Sequence, residues 1–143
     1  MGRGITVRRS RKARIIAAGA LAAVALTAIP AHAEGYFTSS IGGWVTGRES
    51  RHWEDSGKDN ADTKVSFSGC STSNSPGFRY ATLQLKEDVS FLPDQVRSSK
   101  KNYCSTVNYG VRKGGKWYFN YSSLNGDDAP RTYLNVNRVV VNY

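Results

Sequence analysis

Alternation of apolar and polar residues with a period of two is the feature that most limits what this chain can fold into. In residues 63–68, Val65 and Phe67 share one parity, and polar residues occupy the other. The alternation returns in residues 78–87, where Leu83 and Leu85 face the same way. Such a pattern is typical of antiparallel strands with one buried face and one face in water. No helical period of useful length occurs after residue 33, so the chain is predicted to be all-β.

Clusters of Gly, Asn, Asp, Ser and Pro separate these segments from further alternating stretches at residues 103–111, 117–121 and 132–143. Six to eight strands within 110 residues predict an antiparallel β-sandwich or a small barrel. In the last stretch the alternation changes parity near Asn137 and Arg138, which predicts a β-bulge.

The connections between these strands can also be predicted from turn residues. Residues 63–68 and 78–87 are predicted to pair as a hairpin, and Gly-Gly within residues 113–116 predicts a second hairpin turn. Residues 88–102 contain Pro93 and a polar, basic tract, which predicts a long connection pinned by Phe91 and Leu92. Residues 34–43 are predicted to form either a first strand or a flexible arm.

The first 33 residues have the order of regions found in secretory signal peptides. Basic residues are followed by an apolar run over residues 15–29, and Ala31, His32 and Ala33 then form a small-x-small cleavage site. Fifteen apolar residues are short for a membrane span, which needs about 20. The sequence therefore predicts a signal peptide over residues 1–33 and a single secreted, extracellular domain over residues 34–143, with no membrane association after cleavage.

Removing this leader changes the electrostatic character of the chain. Lys and Arg together fall from 20 to 14 while all 11 Asp and Glu remain, so the formal net charge falls from +9 to +3. The remaining basic residues are scattered and form no stripe, which argues against a nucleic acid partner.

Cys70 and Cys104 are the only cysteines. In an exported domain of this size, two cysteines form a disulfide far more often than a metal site or a catalytic thiol. The sequence therefore predicts a Cys70–Cys104 disulfide that ties two strands together.

Few residues after the leader could support catalysis. His52 is the one histidine left, and no Gly-x-Ser-x-Gly motif accompanies it, so the chain is not expected to be an enzyme. The acidic loop at residues 54–62 has three interpretations: a calcium site, a glycosidase carboxylate pair, or a solvated loop whose Asp side chains cap turns. The third is favoured, and no metal or cofactor is predicted.

All 16 aromatic residues follow the leader, which is more than one small core needs. Exposed aromatic rings stack on sugars and are enriched in protein interfaces. Trp44, Trp53 and Tyr118 are the candidate binding surface.

The pattern Arg51-x-Trp53-x-Asp55, followed by Thr63-x-Val65-x-Phe67-x-Gly69-Cys70 and a second cysteine 34 residues later, resembles small secreted β-rich proteins of actinobacteria. Among these it resembles the adaptor subunit of umbrella toxin particles. The resemblance implies a non-catalytic connector between a lectin-bearing subunit and a toxin-bearing one. It also implies that residues 34–43 are a docking arm, with the apolar side chains Tyr36, Phe37 and Ile41 as its contacts.

Three functions are consistent with the sequence. The first is a binding or adaptor protein that contacts other secreted proteins in an extracellular assembly. The second is an inhibitor of a hydrolase such as a protease, with residues 71–77 or 98–102 as the inserted loop. The third is a carbohydrate-binding module that uses surface Trp and Tyr.

Overall fold

The structure is a computed structural model that describes residues 34–143, so the predicted signal peptide lies outside the described residues. These residues form eight strands and no helix, as the alternation predicts. They include no helix long and apolar enough to span a membrane. The strands are β1 (Tyr36–Trp44), β2 (Trp53–Asp55), β3 (Asp62–Thr72), β4 (Ala81–Asp88), β5 (Gln95–Asn102), β6 (Thr106–Val111), β7 (Gly115–Leu124) and β8 (Leu134–Asn142).

The strands form two four-stranded antiparallel sheets. The first sheet has the order β1-β8-β3-β6 and the second has the order β2-β7-β4-β5. The sheets do not close into one cylinder, so the sandwich alternative is confirmed and the barrel alternative is wrong. Strand β8 lies between β1 and β3, so the valine-rich run at residues 139–141 belongs to an interior strand.

The core lies between the two sheets and is built by the predicted parities. Leu83 and Leu85 on β4 are fully buried, as are Val65 on β3 and Val141 on β8. The two sheets meet through aromatic side chains, and the rings of Phe67 and Phe119 have centroids 6.0 Å apart. Alternation therefore predicted which side chains face inward on both sheets.

The Cys70–Cys104 disulfide is confirmed, but it does not tie two strands together as predicted, because Cys104 lies outside any strand. Cys70 lies on β3 of the first sheet, and Cys104 lies in the turn between β5 and β6, where the chain passes from the second sheet to the first. Asn102 is fully buried in the same turn and accepts a 3.0 Å hydrogen bond from the Ser105 backbone amide. The bond thus attaches β3 to the crossover between the sheets.

Both predicted hairpins are wrong. The strand containing Val65 and the strand containing Leu83 lie in different sheets, and residues 113–116 also connect strands of different sheets. Alternation identifies a strand and its buried face, but the partner strand depends on long-range packing. Gly114 is required for another reason: a Cβ there would lie 2.8 Å from the Ser56 carbonyl oxygen of a neighbouring loop.

Two other predicted segments are corrected. Residues 34–43 were predicted to be either a first strand or a flexible arm. Tyr36–Trp44 forms strand β1, which is hydrogen-bonded to β8, so the segment is a strand and not a flexible arm. The predicted long connection at residues 88–102 contains strand β5, which pairs with β4 in a true hairpin. Strand β5 lies at the edge of its sheet and exposes nearly all of its side chains, so no apolar alternation marks it.

The predicted parity change in β8 is present. Ser39 pairs with Val139 whereas Ile41 pairs with Val136, so β8 carries one residue more than β1 across this interval. On the other side of β8, Gly69 of β3 has φ +66°, and a Cβ there would lie 2.5 Å from Asn137 Nδ2. A glycine at position 69 therefore allows β3 to follow the irregular part of β8.

This contact predicts a large effect for a small change at Gly69. We expect Gly69→Ala to lower the free energy of unfolding by about 1 to 3 kcal/mol, because alanine is strained at positive φ and its methyl group would overlap Asn137. Gly42→Ala is the matched control, since a Cβ at position 42 meets open space. Urea unfolding of both variants measures the difference, and equal midpoints would contradict the requirement for glycine at position 69.

Candidate functional site

Of the three aromatic residues predicted as a binding surface, two are buried. Trp53 is 3% exposed and Tyr118 is fully buried, so neither ring is available to a ligand, and the prediction is corrected for both. Trp53 packs in the core beside Phe37, with ring centroids 5.8 Å apart. Trp44 is half-buried against Phe119, with ring centroids 6.0 Å apart. The sequence shows that these residues are aromatic but not which of them other segments of the chain cover.

The predicted docking-arm residues are also corrected. Phe37 and Ile41 are buried core residues of β1, and only Tyr36 projects into solvent. Together with Trp44, Phe37 and Ile41 line a cleft of about 80 Å³ at the margin of the sandwich, and the Arg51 guanidinium lies 4.7 Å from the Phe37 ring centroid. Small-molecule pockets occupy roughly 300 Å³ or more, so this cleft is too small for a typical ligand.

The most exposed large apolar side chain of residues 34–143, Phe91, lies in the loop of the β4–β5 hairpin, residues 89–93, which we name the apolar loop. The Phe91 side chain is fully exposed and that of Leu92 is 64% exposed. The loop has a defined turn, because the Leu92 amide donates a 3.2 Å hydrogen bond to the Val89 carbonyl oxygen. Phe91 has φ +64°, a backbone conformation that is uncommon for a large side chain and is often found at binding sites.

The residue that precedes the apolar loop is held to the outer face of the second sheet. Asp88 ends β4, and its Oδ2 lies 3.0 Å from His52 Nδ1 and 3.5 Å from Lys116 Nζ. All three side chains are partly exposed, so each of these contacts contributes modestly to stability. They nevertheless fix the direction in which the chain leaves β4.

The residue that follows the loop is held by a second contact on the same face. Asp94 Oδ2 accepts a 2.5 Å hydrogen bond from the Tyr118 hydroxyl. The His52 and Tyr118 rings stack with centroids 4.3 Å apart and planes within 6°, so the two contacts support each other. We name His52, Asp88, Asp94 and Tyr118 the anchor residues.

The environment of Tyr118 keeps its hydroxyl in the form that donates to Asp94. Burial raises the pKa of Tyr118 well above its ordinary value, and the hydrogen bond to Asp94 and the charge of nearby Glu49 raise it further. Lys86 Nζ lies 5.8 Å from the Tyr118 ring centroid and covers another part of the ring. Tyr118 is therefore a positioning residue beneath the apolar loop.

The strands below the loop make its base rigid. Glu87 pairs with Gln95 across the hairpin, and the Glu87 carboxylate binds the Arg97 guanidinium at 2.8 Å. Strand β4 is also paired along its length with β7 in the centre of the second sheet. The apolar loop is therefore a short projection from an ordered hairpin.

Sequence reasoning predicted that Phe91 and Leu92 were buried pins, and the structure corrects this. The signal that could have located them is their context: two large apolar residues lie between Asp88 and Asp94, outside either alternating strand, and are followed by Pro93. Apolar side chains at the tip of a hairpin lie beyond the region where the two sheets pack, so they are not buried in the core. Its exposure depends on the hairpin, which the polar sequence of β5 concealed.

The other predicted sites have structural interpretations. The acidic loop is shorter than predicted, because its first two residues belong to β2 and its last to β3. Asp55 accepts a 2.7 Å hydrogen bond from the Gly57 amide, and Asp59 accepts one of 2.9 Å from the Ala61 amide. Glu34 binds the same loop, and the hydrogen bonds from Ser56 hold the pKa of Glu34 below its ordinary value. Within residues 34–143, no three His, Cys, Asp or Glu side chains are arranged to hold a metal ion.

Of the two loops considered for insertion into a hydrolase, residues 98–102 belong to β5 and are not a loop. Ser71 and Thr72 end β3, so only residues 73–77 of the other loop belong to the connection. The Thr72 hydroxyl donates to the carbonyl oxygens of Asn74 and Pro76, at 2.9 Å in each case. Their side chains are polar and small. The apolar loop is the stronger candidate for a contact with another protein.

The anchors make a prediction about the apolar loop in the free protein. We expect Tyr118→Phe to increase the rate of chymotrypsin cleavage after Phe91 by about tenfold, because a hydrogen bond to a carboxylate contributes roughly 1.5 kcal/mol and cleavage follows the population of the opened loop. Tyr133→Phe is the matched control on an exposed tyrosine. Equal cleavage rates for the two variants would show that the Asp94 contact does not order the loop.

Comparisons of this chain with protein-family models, curated proteins and solved structures found no match. The assignment of the candidate site therefore depends only on the geometry of the described residues. That geometry offers an exposed aromatic and an exposed aliphatic side chain on an anchored turn. Such an arrangement is suited to entering an apolar pocket on another molecule.

Proposed function

We propose that this chain is a secreted, non-catalytic binding domain that acts as an adaptor in an extracellular assembly and contacts a partner protein through the apolar loop. The observation that carries the proposal is the full exposure of Phe91 beside Leu92 on an anchored turn. Aromatic side chains that fill partner pockets dominate many protein interfaces. Burial of the two side chains would contribute about 25 cal/mol per Å² of apolar surface.

The anchoring of the loop supports a protein partner. Binding by a mobile loop loses conformational entropy, whereas a loop already held at both ends loses less. Here Asp88 and Asp94 are held on the two sides of the exposed pair, by His52 and Tyr118 respectively. The backbone of the turn is thus held at both ends, which favours a shaped pocket over a fluid surface.

The chemistry of the loop also favours protein over sugar or lipid. Sugars bind flat aromatic rings that have several hydrogen-bonding neighbours, while the loop around Phe91 contains Val89, Leu92 and Pro93 and a single hydroxyl side chain, Ser90. An anionic membrane surface would repel the carboxylate of Asp94 at the base of the loop, where Glu87 and Asp88 are already paired with Arg97 and Lys116. Of the three kinds of ligand, a protein with an apolar pocket best fits the side chains of the apolar loop.

The disulfide supports a location outside the cytoplasm, because such bonds persist in oxidising compartments. It is compatible with the secretory leader predicted over residues 1–33. An extracellular location would place the apolar loop where other secreted proteins can reach it.

The same loop also supports a second candidate function, inhibition of a secreted hydrolase. Protease inhibitors commonly present a convex, ordered loop to the active-site cleft of the enzyme, and an exposed Phe91 fits an apolar specificity pocket. In that function the partner would be one enzyme and the complex would block its activity. An adaptor would instead remain in an assembly with at least two other components.

Purification of the tagged chain from the culture medium of its producing organism tests the proposal. We expect stable co-migration with larger secreted proteins in size-exclusion chromatography, and loss of that co-migration for the double variant Phe91→Ala, Leu92→Ser. Tyr133→Ala is the control and should co-migrate like the wild type. A single protease that is recovered and inhibited would support the second candidate. A monomer without partners, or turnover of a substrate by the pure protein, would overturn the proposal.

A further inference from the structure

A pair of tyrosines lies at the end of the β4–β5 hairpin opposite the apolar loop. Tyr80 directly precedes β4 and Tyr103 directly follows β5, and the adjacent residues Ala81 and Asn102 pair across the strands. The two rings have centroids 5.3 Å apart and are tilted by 50°. Tyr103 is 60% exposed, so one face of the pair is open to solvent.

The backbone of Tyr80 is fixed by Asn125. The Tyr80 amide donates a 3.1 Å hydrogen bond to Asn125 Oδ1, and the Asn125 amide donates a 2.9 Å bond to the Tyr80 carbonyl oxygen. The Tyr80 hydroxyl lies beside Gly126, where a Cβ would be 3.1 Å from it. This half of the pair is a rigid support.

Polar and basic groups continue from the rings along the outer face of the second sheet. Lys101 Nζ lies 4.6 Å from the Tyr80 ring centroid, and Lys101 pairs across the strands with Thr82. The hydroxyl of Thr82 accepts a 2.7 Å hydrogen bond from the Ser123 hydroxyl. Among the side chains of residues 34–143, no acidic group forms a salt bridge with Lys101, so its charge is available to a ligand.

We propose that Tyr80, Lys101 and Tyr103 form a binding site for an acidic polysaccharide, with a hexuronate ring stacked on Tyr103 and its carboxylate bound by Lys101. Stacking on an open aromatic ring suits the C–H face of a pyranose, and the ammonium group beside the rings complements a sugar carboxylate. We name these three residues the tyrosine platform.

The surroundings of the tyrosine platform favour a sugar over a protein. Gly126 lies beside the Tyr80 hydroxyl, and the residue that pairs with Lys101, Thr82, carries a hydroxyl group that is hydrogen-bonded to that of Ser123. Protein interfaces have an apolar centre, and the side chains of the apolar loop could form such a centre, whereas those of the tyrosine platform could not. The two ends of the hairpin thus differ in chemistry and are separated by the eight residues of β4, about 26 Å at the rise of a strand.

This site is independent of the proposed protein-binding function. Its residues do not include the apolar loop or its anchors, so either site can be tested without the other. Variants of Phe91 should leave polysaccharide binding unchanged, and variants of Tyr103 should leave partner binding unchanged.

Affinity electrophoresis of the full secreted domain in native gels tests the site, with polygalacturonate as the acidic polymer and dextran as the neutral one. We expect polygalacturonate to retard the wild type and dextran to leave its mobility unchanged. Tyr103→Ala and Lys101→Gln are each expected to raise the apparent Kd for polygalacturonate by about tenfold, because each removes a central contact of the site. The Kd is obtained from the mobility at several polymer concentrations.

Two control variants separate this binding from general attraction between a basic protein and an acidic gel. Lys58→Gln removes the same charge from an exposed loop, and Tyr36→Ala removes an exposed ring on the first sheet. Both should be retarded like the wild type. Equal weakening by Lys58→Gln and Lys101→Gln, unchanged retardation of Tyr103→Ala, retardation by dextran, or no retardation by polygalacturonate would each overturn the proposal.

Discussion

Removing the Cys70–Cys104 bond is expected to lower the free energy of unfolding by about 3 to 4 kcal/mol, because the bond closes a loop with a sequence separation of 34. Small domains have total stabilities of roughly 5 to 15 kcal/mol, so the loss is a large share. The bond attaches β3 to the crossover between the sheets. Without it, β3 would still be joined to the crossover by the Phe67 amide, which donates a 3.1 Å hydrogen bond to the Ser105 carbonyl oxygen, and the turn itself would be held by Asn102. Urea unfolding of the oxidised and the Cys70→Ala, Cys104→Ala proteins measures the effect.

Cys104 has φ +62°, so substitution there changes more than the bond. Reduced wild-type protein is therefore the better comparison, since both side chains remain and only the covalent link is lost. A reduced protein that unfolds at the same urea concentration as the oxidised protein would contradict a stabilising role for the disulfide.

Phe91→Ala is expected to weaken binding to the partner protein by about 30-fold or more, corresponding to the 2 kcal/mol or more that a central aromatic contact contributes. Phe91 has φ +64°, and alanine also carries a Cβ, so the substitution leaves the backbone strain at this position about the same. Because Phe91 is fully exposed in the free domain, the stability of the fold should change little. Titration calorimetry with the co-purified partner measures the affinity, and urea unfolding verifies the fold.

Val111→Ala is the control for this loss, because Val111 is an exposed apolar residue on β6 of the other sheet. The affinity of the Val111→Ala variant for the partner protein should equal that of the wild type. Unchanged affinity of Phe91→Ala would show that the apolar loop lies outside the interface, and the assignment of the loop would be wrong.

The parts of the fold that the sequence predicts are those determined by local pattern. Val65 with Phe67 and Leu83 with Leu85 are buried on the predicted faces, because period-two alternation directly encodes which face of a strand is covered. The parity change near Asn137 was also visible, since a bulge moves every later side chain to the other face. The disulfide followed from there being only two cysteines.

The pairing of strands could not be predicted in the same way. Both predicted hairpins joined neighbouring segments in the chain, whereas β3 pairs with β6 and β8. The one local hairpin of the second sheet, β4–β5, was missed because an edge strand such as Gln95–Asn102 exposes both faces and shows no apolar alternation. Strand order depends on how the two sheets share one core, which no single segment encodes.

The candidate site was missed for a related reason. Tyr118 and Trp53 are aromatic residues near polar ones in sequence, yet each is covered by segments that are distant along the chain. Phe91 and Leu92 looked like core residues because they are apolar, but the hairpin they connect holds them away from the core. Burial in a small sandwich depends on topology as well as on residue type.

Site-specific photocrosslinking from position 91 tests the central claim most directly. The variant Phe91→p-benzoylphenylalanine keeps an aromatic side chain and, on irradiation in culture medium, should form one covalent adduct with a partner protein. The same residue at position 133 on the exposed Tyr133 is the control and should form none. An adduct from position 91 alone is the predicted result, and equal adducts from both positions, or none from position 91, would contradict an interface built on the apolar loop.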